Sequence, residues 1–413
     1  MRLHSLQTRR RTPMTVLIAP SGFKESLSAE EAAERIAEGV AHVMPGARVI
    51  KAPMADGGEG FTAALVNATG GSLHAVRVTG PVGEPVEAFF GLLGGRGCRT
   101  AVIEMAAAAG LRLVPRDRRD PMLTTSFGVG ELIRAALDAG AQRVLLGCGD
   151  SGINDGGAGM VQALGARLLD AQGCEIGMGG GELLRLQRID LSGLDPRLAQ
   201  VQLDAAVNWH NMLLGDRGVA RVYGPQKGAT AEQVVLLEKA LQNWSRRIRQ
   251  ATGLDWSLQP GGGASGGLGT GFAALLGGTL HPRYDIVMQY LELDRLIDQA
   301  DLVITAEGSL DDQTPFGKVP AEVAMRAKKR GLPVIALAGT IGRGVEVNLQ
   351  HGIDAFASIL SRPCTLEEAI AQAGKLLRHA AEDALRMVSV GLVLGGGAPR
   401  LSASRRPALG TAP

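Results

Sequence analysis

The chain has 413 residues, 45% hydrophobic and 20% charged, with 43 Lys and Arg against 41 Asp and Glu and a formal net charge of +2. This composition excludes disordered and collagen-like classes and is sufficient for two domains with substantial cores; no apolar run is long enough to span a bilayer. Residues 1–13 and 391–413 hold seven arginines and no acid, so the body carries about −5, which argues against a nucleic-acid surface.

Both basic ends read as solvated tails. "MTVLIAP" opens the first strand, and Met14 reads as the natural start. Four dispersed cysteines without a C-x-x-C pair, and no apolar segment behind the basic N-terminus, indicate a reduced, cytoplasmic protein.

The first unit in chain order is "TVLIAPSGFKESLSAEEAAERIAEGV", a strand, a polar loop and a helix. Ser28 with Glu31 three residues on predicts a capping box at that helix's start. A second strand, "RVIKAPMA", runs through "DGGEG" into the helical "FTAALVNATG". Strand ends followed by polar glycine loops are where open parallel sheets place ligands.

From about Gly71 the pattern changes to alternating strands with Gly/Pro turns, "SLHAVRVTGPVGEPVEAFFGLL". There follow a helix in "TSFGVGELIRAALDAGA", a strand "RVLLG", a loop "CGDSGINDGGAG" and a predicted helix "MVQALGARLL". The α/β rhythm returns near Tyr284 and continues through the strands "DLVIT", "PVIALAG" and "IDAFASIL" to a final helix from Leu366. We read an α/β architecture: a discontinuous domain, residues 14–70 plus 285–390, holding an inserted α/β domain, residues 71–284, with the functional loops lining a cleft between them.

Several loops carry chemistry. Asp56 and Glu59 flank a glycine turn. Ser151, Asn154 and Asp155 occupy a second acidic glycine loop, whose backbone can approach an anion. Lys227 sits between glycines in "YGPQKGAT", and the uncharged "GGGASGGLGTG" contains Gly266 and Gly267. After the "DLVIT" strand come Glu307, Asp311, Gln313 and Lys318. Carboxylate oxygens suit Mg²⁺, while lysines and backbone amides suit phosphates. The sequence contains no Walker A motif, Ser-His-Asp set, cysteine nucleophile or soft-metal cluster, so the combination points to phosphoryl transfer. "GCGDSG" with Asp170 some 20 residues on leaves an NAD-dependent dehydrogenase as an alternative, and a non-catalytic anion-binding module as another.

The motifs "APSGFKESLSA", "PMADGGEGFTAAL", "GDSGINDGGAGM", "YGPQKGAT", "GASGGLGTGF", "ITAEGSLDDQT" and "GKVPAEVA" occur in this order and resemble the bacterial glycerate kinase family over residues 14–390. The resemblance implies a flavodoxin-like domain interrupted by a second α/β domain, and phosphorylation of glycerate, commonly at the 2-hydroxyl, with ATP and Mg²⁺. The implied partner is a small hydroxy acid, with no nucleic acid or membrane, and with a homodimer as a possible assembly.

By motif, Lys24, Asp56, Glu59, Asn154, Asp155, Lys227, Glu307, Asp311, Gln313 and Lys318 match family residues. Asp56 or Asp155 is the expected base, Lys24 a catalytic cation, and Glu307 with Asp311 the metal ligands. Ser151, Gly266 and Gly267 join the substrate- and phosphate-binding set. The chain departs from the family pattern within its motifs at Ser21, Gly22, Glu25, Asp150, Gly152, Ile153, Asn208, Ala306 and Ser309. These charge changes make the substrate's identity the point to test.

Overall fold

The structure is a computed structural model; it describes residues 13–23, 26–54, 58–95, 97–315 and 317–394. In chain order the elements are β1 (Thr15–Ile18), α1 (Ala29–Val43), β2 (Arg48–Lys51), α2 (Phe61–Thr69), β3 (Ser72–Thr79), β4 (Pro85–Leu92), β5 (Thr100–Glu104), α3 (Ala106–Ala109) and α4 (Phe127–Asp138). Next come β6 (Arg143–Gly147), α5 (Ala158–Ala163), β7 (Arg167–Leu169), β8 (Arg188–Asp190), β9 (Gln202–Val207), α6 (Val219–Tyr223), α7 (Ala231–Thr252), α8 (Ala264–Leu276) and β10 (Thr279–Pro282). The chain closes with α9 (Arg283–Tyr290), α10 (Leu293–Ile297), β11 (Leu302–Leu310), α11 (Val319–Lys328), β12 (Val334–Ile341), β13 (Ala355–Ser358) and α12 (Leu366–Leu394).

The fold divides into two compact units. One comprises Met1–Met54 with Glu292–Pro413, and the other comprises Ala55–Leu291. The sequence reading set the junctions at residues 70 and 285. The first junction falls earlier because α2 packs on β3, β4 and β5 of the second unit. The second falls later, where Glu292, with φ 50°, breaks the chain between α9 and α10.

The discontinuous unit is a five-stranded parallel sheet in the order β13-β12-β11-β1-β2. Counted along this unit alone, the strands run 2-1-3-4-5, the flavodoxin-like order. The short apolar strand β1 is fully buried between β2 and β11, with Val16 opposite Leu302 and Val49. Its core draws on both chain segments, with Ile18, Ile36, Ile304, Leu337, Leu377 and Leu385 among its members. The predicted capping box forms at α1: Ser28 Oγ accepts from Glu31 N and Glu31 Oε2 accepts from Ser28 N. Helix α1 packs on α12, where a Cβ at Gly39 would lie 2.9 Å from the Arg378 carbonyl oxygen. α12 continues to Leu394, so residues 391–394 are helix rather than tail. The other tail residues, 1–12 and 395–413, lie outside the described residues.

The inserted unit carries a six-stranded mixed sheet, β10-β9-β6-β5-β4-β3. Strands β5, β6, β9 and β10 are parallel, while β3 and β4 form the hairpin that the alternating pattern predicts. One expectation fails here. "MVQALGARLL" is not a single helix: α5 stops at Ala163 and residues 167–169 form β7. Gly165 makes the break, because its φ of 102° and the Gly193 carbonyl oxygen, 2.1 Å from where a Cβ would sit, leave no continuation as helix.

Among the described residues, no helix is long and apolar enough to cross a membrane.

Candidate active site

The site residues form two groups, one in each unit. In the inserted unit, the parallel strands β5, β6 and β9 end in polar chain: Glu104 closes β5, the 148–157 loop follows β6, and Asn208 follows β9. Asp155 is fully buried in that loop. Its Oδ2 accepts from Ser126 N (2.7 Å), Ser126 Oγ (2.8 Å), Gly159 N (3.2 Å) and Thr125 Oγ1 (3.5 Å), and its Oδ1 accepts from Gly157 N (3.1 Å). Burial raises its pKa against the pull of those donors. The carboxylate ties the start of α4 to the start of α5.

Lys227 reaches the same loop from the other side. It ends a short 3-10 turn, Pro225–Lys227, and is 2% exposed. Its Nζ lies 2.9 Å from Ser151 Oγ and 2.7 Å from the Ile153 carbonyl oxygen. Burial lowers its pKa to about 7, with the Asp155 charge opposing.

Asn154 is fully buried, and neither its Oδ1 nor its Nδ2 has a hydrogen-bond partner among the described residues. An unsatisfied buried amide costs roughly 1–3 kcal/mol, so the loop holds recognition capacity that the protein itself does not use.

Gly266 and Gly267 brace this loop. Both have positive φ, 71° and 90°. A Cβ at Gly266 would lie 2.1 Å from the Ile153 carbonyl oxygen. The Gly266 carbonyl accepts from Gly156 N, and Gly267 N donates to the Gly263 carbonyl. The visible contribution of the pair is therefore close backbone approach rather than two open amides.

Glu59, just before α2, donates its backbone N–H to Asp150 Oδ2 (3.0 Å), and its carboxylate pairs with Arg112 (3.0 Å). Asp56 and Lys24 lie outside the described residues.

In the discontinuous unit, Glu307 lies in the C-terminal half of β11, which runs past the expected strand end, and Asp311, Gln313 and Lys318 follow it; β11 is the neighbour of β1 at the point where strand order reverses. Ligands bind at such switch points in doubly wound sheets. The Asp311 Oδ1 atom accepts from Lys318 Nζ (2.9 Å), Gln313 N (3.0 Å) and Thr314 Oγ1 (3.3 Å), and Oδ2 has a 3.4 Å contact with Ser309 Oγ. Burial works to raise its pKa, but the Lys318 ammonium and the other donors hold it below the usual carboxylate range. Lys318, at the N-terminal boundary of α11, also donates to the Ser309 carbonyl. Glu307 is half-buried on β11, opposite Ala338.

Two site features lie beyond the sequence reading. Glu104 is 1% exposed, accepts from Thr62 N (3.2 Å), and has its pKa raised by burial to about 7. Its only sequence signal is a single acid closing the apolar strand "TAVIE". Trp244, 0% exposed, donates from Nε1 to the Gly156 carbonyl (3.0 Å) and pins the site loop from α7.

Three of the departures from the family pattern are locally satisfied. Ser21 Oγ donates to the Ala306 carbonyl, Asn208 Oδ1 accepts from His210 N, and Asp150, with φ 49°, accepts from Glu59 N. Asp170, the acid expected to serve a dinucleotide ribose, instead accepts from the Gln172 and Cys174 amides and pairs with Arg185. Asp170 is thus already engaged within its own turn, which counts against the dehydrogenase alternative.

Comparison with known proteins agrees. The glycerate kinase family matches residues 16–389. A glycerate kinase of Bacillus subtilis is 50% identical over 370 residues, covering 90% of this chain and 96% of its own length. A glycerate 2-kinase of Escherichia coli is 46% identical over 379 residues, covering 92% of this chain and 99% of its own. The crystal structure of a Salmonella typhimurium chain described as a candidate glycerate kinase 2 superposes with a TM-score of 0.81 at 46% identity, over 92% of this chain and 100% of that one. The chain belongs to the glycerate kinase family.

Proposed function

We propose that the protein transfers the γ-phosphoryl group of ATP to the 2-hydroxyl of D-glycerate, giving 2-phosphoglycerate and ADP. The observation that carries this reading is the near full-length similarity to the E. coli glycerate 2-kinase, joined to a polar loop whose buried Asn154 amide has no partner among the described residues and against which the Lys227 amine packs. Phosphoryl transfer asks little covalent chemistry of a protein; positioning and charge neutralisation supply most of the acceleration. Lys318 is the cation assigned here to phosphate or substrate carboxylate, and Asn154 is assigned to substrate hydrogen bonding. Glu59, Ser151 and Gln313 complete the polar set, Gly266 and Gly267 shape it, and Lys24 retains the catalytic-cation role its motif position implies.

Mg²⁺ is assigned to Asp311, which stays ionised, and Glu307 on the same strand end; among the described residues no cluster of three or more His, Cys, Asp or Glu side chains gathers there, so this pair would hold the ion only together with phosphate oxygens and water. Bound there, the ion would neutralise phosphate charge. Asp155 is assigned to positioning rather than to proton abstraction, because five donors already occupy its oxygens.

The test is ADP release with Mg²⁺ and ATP, offering D-glycerate, L-glycerate, hydroxypyruvate and four-carbon hydroxy acids in parallel, with phosphorus NMR to locate the new ester. Turnover confined to D-glycerate with a 2-phosphate product supports the reading. Preference for another acid would make Ser21, Asp150, Asn208 and Ser309 the specificity determinants, and silence on all would leave a binding protein.

A further inference from the structure

We propose that Ser151 and Lys227 form a proton relay in which the buried Lys227 amine takes up, through the Ser151 hydroxyl, the proton lost by the attacking substrate hydroxyl. The proposal rests on the kinase reading above and assigns the proton acceptor that the hydrogen-bonded carboxylate of Asp155 cannot provide. Lys227 is the enclosed end of the pair and Ser151 the half-buried end, with Nζ and Oγ 2.9 Å apart.

The chemistry of the two contacts separates their roles. The Ile153 carbonyl can only accept, so it holds one N–H of Lys227 in either protonation state. The Ser151 hydroxyl can donate or accept. Toward an ammonium it accepts an N–H; toward a neutral amine it donates its O–H to the nitrogen lone pair. The contact therefore survives protonation of Lys227, as a relay requires.

Burial supplies the driving force, bringing the amine's pKa to about 7, near the working range of a general base. The charges around it are few. Asp155, in the facing loop, favours the ammonium. Asp150 directly precedes Ser151 and is engaged by the Glu59 amide. Arg119 packs on Gly228, the residue after Lys227, with its carbonyl oxygen 2.1 Å from where a Gly228 Cβ would sit.

The step balances as follows. The substrate oxygen bonds to the γ-phosphorus of ATP while the bond from that phosphorus to the ADP oxygen breaks. The substrate proton passes to Ser151 Oγ as the serine's own proton passes to Lys227 Nζ. The resulting ammonium returns its proton to water after product leaves, so the net products are ADP, the phosphorylated acid and one proton.

The experiment is a pH profile of kcat/KM from pH 5.5 to 9 for the full-length wild type, Ser151→Ala and Lys227→Arg, with melting temperatures alongside and a ¹⁵N NMR titration of the Lys227 amine. In the wild type, kcat/KM should fall tenfold per pH unit below about 7 and the amine should titrate at the same midpoint. Ser151→Ala should lose about 100-fold or more, carried by kcat rather than KM, at unchanged melting temperature. Lys227→Arg, permanently charged, should lose the limb near pH 7. The relay is overturned if Ser151→Ala stays within threefold of wild type, if Lys227→Arg keeps the wild-type limb, or if the amine titrates above pH 9. Should Lys227→Arg not fold, Ser151→Ala and the amine titration decide alone. A wild type that turns over none of the acids overturns the kinase reading itself, whereas turnover untouched by Ser151→Ala overturns the relay only.

Discussion

Each unit pairs an aspartate with a lysine, and the two pairs behave differently. In the inserted unit, Asp155 and Lys227 are both buried, and burial pushes the carboxyl up and the amine down to about 7. Five donors hold the aspartate while the lysine rests against a serine and a carbonyl. In the discontinuous unit, Asp311 and Lys318 meet directly at 2.9 Å, each about a quarter exposed, and there the attraction outweighs burial and keeps the carboxylate ionised. The same residue types thus give a lysine with a depressed pKa where water is excluded and a fixed-charge pair where it is not. Degree of burial, more than residue identity, separates the two environments.

The comparison can be broken most forcefully at Asp155. Replacing it with Ala strands several buried donors and should cost about 3–5 kcal/mol, read as a fall in the denaturant midpoint. A loss below about 1 kcal/mol would mean the buried network is not what holds the loop.

Glu104 sharpens the role of burial through pH. Its pKa stands at about 7 against an ordinary 4.5, so the folded chain keeps a proton there that the unfolded chain releases between those values. Its contribution to stability is present below pH 4.5 and is lost as pH rises through 7. Glu104→Gln should match wild type near pH 4.5 and exceed it at pH 8 by a margin on the order of 3 kcal/mol. Parallel stability curves across that window would remove burial as the dominant influence on Glu104.

Gly266→Ala tests the brace. Forcing a side chain into φ 71° against the Ile153 carbonyl should cost about 2 kcal/mol and lower kcat by displacing Asn154. Smallest in stability is Lys318→Met: this partly exposed pair contributes less than about 1 kcal/mol, so folding should scarcely change while the KM for ATP rises. A large stability loss there would erase the contrast between the two pairs.

What could be read from the sequence was local in origin. The Ser28–Glu31 capping box, the β3–β4 hairpin and the polar loops after β6 and β11 follow from neighbours a few residues apart. The break at Gly165 was missed because its cause, the Gly193 carbonyl, is distant in sequence. Glu104 looked like an ordinary strand-end acid until Thr62 and the surrounding core fixed its burial. Trp244 could not be tied to the site because it reaches Gly156 across 88 residues. Asp155 reads as a candidate base from its own loop, while three of its five donors come from Thr125 and Ser126, some 30 residues away in the chain.

The placement of β1 has a consequence for synthesis on the ribosome. This strand lies inside its sheet, between the edge strand β2 and β11, and cannot be flanked on both sides until β11 exists, with Val16 waiting for Leu302. At about 5–20 residues per second, the intervening chain takes roughly 15–60 s to emerge. The entire inserted unit is translated within that interval and can fold first, while an apolar β1, lacking one neighbour, stays open to chaperones. The first segment made is thus among the last to be completed, and mutations that weaken β11 should appear in the cell as failed maturation before they appear as lost catalysis.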